Sequence, residues 1–152
     1  MSLPTDQLLS IGELSHGGVV LHLEKIVPGD PVRGFVPYYH FRVLAPEGTD
    51  VGHINFRVGD TQHVCFCAGH VGFEIQEAHR GHGYALRACR AIAPFVASVY
   101  HEVTITCDPD NHASRRTIER LGACFIDEVV VPPNDFHYQR GSRFKRRYRW
   151  EP

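Results

Sequence analysis

Residues 71–85, VGFEIQEAHRGHGYA, hold the densest chemistry in the chain. A strand-like run passes through a short polar link to Arg80-Gly81-His82-Gly83-Tyr84-Ala85, which opens a helix. The first N–H groups of a helix have no internal partner and sit at the positive end of its dipole. Glycines there remove the side chains that would hold a ligand away from those groups. Such a turn is a cradle for an anion of the pyrophosphate kind. A Walker loop is excluded, because no Gly-Lys-Ser/Thr follows the glycines. A dinucleotide fingerprint needs a third glycine, where Leu86 stands. What remains is an R-x-x-G-x-A pattern filled by Arg80, Gly83 and Ala85. Taken alone it is equally well a helix start with glycines for turning.

A second constellation follows. Residues 102–108, EVTITCD, carry a β-branched strand signal. Asp108-Pro109-Asp110-Asn111 is a turn and helix-start cluster. Residues 112–121, HASRRTIERL, form a helical stretch with Gly122 as its stop. The two stretches together resemble the two signatures of the GNAT superfamily of acetyl-CoA-dependent N-acetyltransferases. The first corresponds to Gln/Arg-x-x-Gly-x-Gly/Ala. The second corresponds to a strand followed by Asn-x-x-Ser/Ala, a helix and Leu-Gly-Phe. Asn111, Ser114, Leu121 and Gly122 match, and the aromatic is displaced to Phe125. The resemblance covers residues 51–125, and the run ITCDPDNHASRRTIERLGA with a terminal RRYRW looks like a group of small bacterial predicted acetyltransferases.

That resemblance implies acetyl-CoA as co-substrate, with its pyrophosphate on Arg80, Gly81, His82, Gly83, Tyr84 and Ala85. It implies that the pantetheine arm pairs with the backbone of Phe73, Glu74 and Ile75, between two splayed strands. Asn111 and Ser114 would stand near that arm, and Arg115 and Arg116 would be in reach of the adenosine phosphate. Asn111 also reads as a plain helix N-cap, and the two jobs are compatible. Many GNAT enzymes carry a tyrosine seven residues after the asparagine, which protonates the leaving thiolate; here that residue is Ile118. Ser114, one helical turn after Asn111, is the first substitute acid, and Tyr148 on the final strand the second. An ammonium acceptor also needs a base. Glu74 is the first choice, because it points away from the face of Phe73 and Ile75; His53 is the second. The structural alternative for Glu74 is a solvent-facing strand carboxylate.

Positioning these residues requires a scaffold. Residues 6–14 read as a short helical piece and residues 19–27 as the first strand. Residues 28–37 hold three prolines and two glycines and read as a loop. Strands are predicted at 38–44, 51–58, 69–76, 102–107, 124–131 and 143–150, and helices at 83–100 and 111–121. Pro94 is expected to kink or split the first of these helices. The order predicts an α/β (α+β) fold with a mixed central sheet of about seven strands and helices on both faces. This agrees with a GNAT-like fold, except that the family's first helical pair is reduced to the 28–37 segment. Those helices build one wall of the acceptor site, so the wall here is either a loop or supplied by residues 6–14.

At 152 residues the chain predicts a single domain, 1–152, with a real core. No apolar run reaches the length of a membrane span, and no secretory signal is evident, so a cytoplasmic location is expected. The net charge of −1 gives no global attraction to nucleic acid or to an anionic membrane. The basic run at 140–149, RGSRFKRRYR, reads either as an RNA or acidic-acceptor surface or as an edge strand kept soluble by charge. Five cysteines without an export signal argue against disulfides. His63, Cys65 and Cys67 would share a face on a strand, but no second cysteine pair completes a zinc pattern, and no metal is expected. The predicted activity is direct acetyl transfer to a primary amine of a small molecule or peptide, with no covalent enzyme intermediate. Two other classes stay open, an acyl-CoA-binding module without turnover and a nucleic-acid-associated protein. A homodimer through the last strands is a further expectation.

Overall fold

The computed structural model describes residues 3–152. Helix α1 spans Thr5–Ile11, and the short strand β1, Leu14–His16, pairs antiparallel with β2, Val19–Val27. Then come β3 at Tyr38–Leu44, β4 at Asp50–Arg57 and β5 at Val71–Ile75, which complete a five-stranded sheet in sequential order. Helix α2, Tyr84–Val99, leads to β6 at Val103–Cys107, and α3 at His112–Arg120 leads to β7 at Cys124–Val130. A four-residue helix α4, Phe136–Gln139, precedes β8 at Phe144–Trp150. Strand β8 lies between β6 and β7 in a three-stranded sheet.

The predicted class, β-sheet with helices, holds; in detail the single mixed sheet of about seven strands is, among the described residues, eight strands in two sheets whose ladders are all antiparallel. The sheets touch where β5 and β6 begin. His70 N–H donates to the Thr104 carbonyl at 2.8 Å, and Thr104 N–H donates to His70 Nδ1 at 3.0 Å. Beyond those bonds β5 and β6 part without a ladder, which opens the wedge that the resemblance implied.

Alternation along β3 and β4 decides the two faces of the large sheet. Tyr39, Phe41, Val43, Ile54 and Phe56 are buried toward α2. Helix α2 answers with Ala88, Cys89, Ala91, Ile92, Phe95 and Val96, a helical stripe of wholly buried side chains. Phe95 meets Tyr39 and Phe56 edge-on at centroid distances of 5.0 and 5.2 Å. Burying each large side chain is worth roughly 1.5–3 kcal/mol, so this stripe anchors α2 and with it the turn at its start. Pro94 does not split α2. It lies on the exposed side, where water can take up the carbonyl that its missing N–H leaves free.

Several boundaries differ from expectation. The first helix ends at Ile11 instead of running to residue 14, because Gly12 turns the chain at φ 82°, and Leu14–His16 form β1. Cys65 and Cys67 are not on a strand; Val64–Ala68 is one π-helical turn. Between β2 and β3 there is only a 3-10 turn at Pro31–Arg33. Helix α1 does not replace the missing pair of helices. It packs on α2, and Thr5 Oγ1 lies 2.9 Å from the hydroxyl of core-facing Tyr39.

Candidate active site

The wedge between β5 and β6 widens into a cleft with two lobes. One, of about 480 Å³, is lined by Phe73, Ile75, Arg80, Gly81, Gly83, Tyr84, Ala85 and residues of α3. The other, of about 320 Å³, lies against His53, Asn55 and Arg57 of β4 and the 137–145 segment. Phe73, Glu74, Asn111, Ser114 and Arg140 line both and so form the neck.

The first lobe is built by the turn before α2. Gly81 and Gly83 sit at φ 89° and 73°, a region that L side chains avoid, and a β-carbon at either would point into open space. Gly83 caps α2 without any side-chain bond to the first turn. The N–H groups of Tyr84, Ala85 and Leu86 therefore have no partner within the helix. Arg87, which sequence reasoning passed over, braces this turn. Its guanidinium donates to the carbonyls of His82 at 2.7 Å and Gly17 at 3.0 Å. Arg80 donates through Nε to the Ile75 carbonyl at 2.9 Å, so its charge is drawn against the open edge of β5. Arg116, Arg120 and Arg140 also line the lobe. From sequence Arg116 is the one of these three assigned to a phosphate, Arg140 is noted only as the start of the basic run, and Arg120 is passed over, because single arginines on a helix or loop look like solvated surface. Arg115 turns aside to the Pro109 carbonyl at 3.1 Å.

The side chain of His82 does not line either lobe; its exposed ring lies against Tyr84 at a centroid distance of 5.5 Å, so only its main chain belongs to the turn.

Register places the neck. In the β4–β5 ladder His53 lies opposite Glu74 and Ile54 opposite Phe73. Arg57 N–H donates to His70 and Gln76 N–H donates to Val51, so the even residues of β5 spend their backbone groups on β4. By alternation the N–H and C=O of Phe73 face the wedge. Glu74 is exposed at the neck, on the same sheet face as His53. Burial and the charge of nearby His40 hold the His53 pKa below its ordinary value, with Glu74 pulling the other way. Asn111 Oδ1 accepts from Ser114 N–H at 3.1 Å, so the N-cap role is realised, with both residues at the neck.

Tyr148 is a second correction. It is 1 % exposed, lines neither lobe, and its hydroxyl accepts from Arg146 Nε at 3.0 Å and lies 3.5 Å from Glu119. Ile118 is wholly buried in the core, so the helix position that carries the family tyrosine faces inward here. The basic strand is largely neutralised. Lys145 meets Asp108 at 2.7 Å, Arg147 grips Asp127 through two 2.7 Å bonds, and Arg146 and Arg149 face Glu128 and Glu102.

All five cysteines are free. Burial pushes the thiols of Cys67 and Cys89 up to about 12 and that of Cys107 up to about 11, far from a nucleophilic range. Two clusters have the donor types to hold a metal ion: His63, Cys67 and Asp135, and Asp60, Cys65 and His70. In the first, His63 Nδ1 is 2.6 Å from Asp135, so the carboxylate already has a partner. The π-helical turn and the loop before α4 bring these three together from distant parts of the chain, which spacing on a strand could not anticipate. Among the described residues no helix is long and apolar enough to cross a membrane.

Comparison with known proteins adds a family. Residues 26–123 match the acetyltransferase (GNAT) domain. Solved structures with the same fold include RimL, described as a ribosomal L7/L12 alpha-N-protein acetyltransferase, at 15% identity and TM-score 0.56 over 74% of this chain. The microcin C7 self-immunity acetyltransferase MccE, solved with acetyl-CoA and AMP, matches at 17% identity and TM-score 0.56 over 76%. A GNAT-family acetyltransferase from Bacillus anthracis matches at 24% identity and TM-score 0.55 over 72%. The chain spans 68%, 61% and 64% of their respective lengths. No match is found among curated proteins.

Proposed function

The chain belongs to the GNAT acetyltransferase family, and from that premise we propose that it moves an acetyl group from acetyl-CoA to a primary amine by direct transfer. The coenzyme pyrophosphate lies on the N–H groups at the start of α2, between Gly81 and Ala85. The pantetheine arm runs along the wedge and pairs with the N–H and C=O of Phe73. The acceptor enters through the lobe beside β4. Glu74 takes a proton from the ammonium group, with His53 as the alternative base. The amine nitrogen attacks the thioester carbonyl, the C–S bond breaks, and the coenzyme leaves as a thiolate. As the amide forms, the nitrogen gives up its second proton through Ser114, or a water that it holds, to that sulfur, so the hydroxyl ends as it began and Glu74 returns the first proton to solvent. A main-chain N–H of β5 stabilises the oxyanion as it develops.

The observation that carries this reading is the coincidence at the neck: a β5 edge whose wedge-facing main chain has no sheet partner, a carboxylate and a hydroxyl, all one step from a helix start stripped of side chains. Calorimetry with acetyl-CoA, on the wild type and on Gly83→Trp, tests it. Binding by the wild type and loss in the variant is the expected result. It would be followed by an assay of free thiol release across amine acceptors. No binding by either protein would remove the reading. Binding without thiol release would leave an acyl-CoA-binding module, a second reading that the inward-facing Ile118 keeps in view.

A further inference from the structure

Arg57 holds a charge that the protein does not balance. It projects from the end of β4 onto the cleft face and lines the smaller lobe. Burial lowers its pKa, and the phenol of Tyr38, whose ring centre lies 5.8 Å from the guanidinium carbon, works in the opposite sense. It forms no ion pair among the described residues. Two of its five N–H groups are used: Nη1 donates to the carbonyls of Ala68 at 3.3 Å and Gly69 at 3.2 Å. The donors on Nε and Nη2 have no protein acceptor among the described residues. The guanidinium is half-buried and its spare donors open into the cleft, where a ligand can take them up.

The neighbouring sequence makes room for it. Gly72 does not have a positive φ, so turn geometry does not require its glycine. A β-carbon there would come within 2.9 Å of Arg57 Nη1 and 3.5 Å of Nη2. The guanidinium therefore lies across Gly72. Glu74 follows two residues later on the same face, about 7 Å along the strand. Lys145 is spent on Asp108, which leaves Arg57 and Arg140 as the free cations of the lobe and Glu74 as its free anion.

Resting on the transferase reading, we propose that this lobe binds a zwitterionic acceptor of amino-acid size, with its carboxylate on Arg57 and its amine toward Glu74. A planar fork with free donors suits a carboxylate. The volume of about 320 Å³ suits a small acceptor, and the opposite charges at the two ends orient it with the amine at the neck.

Acetyl transfer to amino acids is compared with transfer to the same molecules lacking the carboxyl group, and with phosphoethanolamine. Binding of the amino acids to protein saturated with coenzyme A is measured alongside by calorimetry. Wild type should favour the carboxylate-bearing acceptor by about 100-fold in kcat/KM, the scale of one or two charge-assisted hydrogen bonds. Arg57→Gln should bring that ratio close to one, and Arg57→Lys should leave it in between. The acetyl-CoA affinity of both variants should equal that of the wild type, which shows that they fold. A purely structural role for Arg57 would weaken both acceptors alike and leave the ratio intact, which overturns the inference. So would equal turnover of the paired acceptors by the wild type, preference for phosphoethanolamine, or no amino-acid binding at all. Amino-acid binding that depends on Arg57 without any acetyl transfer would sustain the inference and remove the transferase reading instead.

Discussion

Gly52 on β4 and Glu74 on β5 lie so close that a β-carbon at Gly52 would overlap the carbonyl oxygen of Glu74. Gly52 pairs with Ile75, and its neighbour His53 pairs with Glu74. The missing side chain at 52 therefore sets how near β4 comes to the strand that carries the candidate base. It also sets where the wedge-facing main chain of Phe73 stands.

Gly52→Ala should be costly, because the obstructing atom belongs to the main chain and cannot rotate away. We expect a loss of about 1–3 kcal/mol in stability, the usual range for an overpacked site. Activity should fall further than the folded fraction does, since Glu74 is displaced with its strand. Urea unfolding monitored by fluorescence gives the first quantity and steady-state kinetics in the absence of urea the second. An unchanged unfolding midpoint would show that the strands can part at no cost.

Ile118 occupies the helix position where the family carries its tyrosine, yet it is wholly buried. Ile118→Tyr should not restore a general acid. The larger ring would be forced into the core beneath α3, with a penalty of about 1–3 kcal/mol and a hydroxyl in need of a partner. A lower melting temperature with no gain in kcat is the expected outcome. A gain in kcat would mean that α3 can turn that position toward the thiolate.

These positions show what the sequence could and could not convey. The cradle was legible because its chemistry is local: glycines at positive φ, a helix start and an Asn-to-Ser cap all act within a few residues. The wedge was implied only by resemblance, since the two bonds between His70 and Thr104 join residues far apart in the chain. Tyr148 misled because alternation assigns a face but not the partners waiting on it, here Arg146 and Glu119. The conformation of the Cys65–Cys67 run was not legible, because a short apolar stretch fits a strand and a helical turn equally well. Arg57 carried no signal at all. An arginine that alternates along a strand looks solvated until the fold shows that no acid faces it.

Two side chains at the neck can be separated by kinetics. Glu74→Gln should lower kcat/KM by about 100- to 10,000-fold if the carboxylate takes the proton. The loss should shrink at high pH, where the acceptor arrives already neutral. Ser114→Ala should lower kcat with little change in acetyl-CoA affinity. The effect should be smaller with an activated thioester, whose thiolate needs no proton to leave. Coenzyme titration of both variants separates chemistry from binding. A Glu74→Gln enzyme with an unaltered rate at neutral pH would hand the role of base to His53.

His53 offers the pH test. Burial, aided by the His40 ring 5.0 Å away, holds its folded-state pKa below the ordinary 6.5, against the pull of Glu74. The folded protein thus binds this proton less readily than the unfolded chain does. Between the folded value and 6.5 the unfolded state carries more protons, so stability rises with pH across that window. The contribution is complete above 6.5 and is lost as the pH falls through the folded value. Denaturant unfolding of the wild type and of His53→Gln, at about pH 7 and about pH 5, isolates it. The wild type should lose more stability between the two conditions than the variant does. Equal losses would assign the acid sensitivity to other groups. At neutral pH the same depression leaves the imidazole uncharged. It can then accept a proton from the acceptor's ammonium group, so the activity of Glu74→Gln should fade as the pH falls below 6.5, and at lower pH than the wild type's stability loss, because the neutral amide no longer raises the His53 pKa.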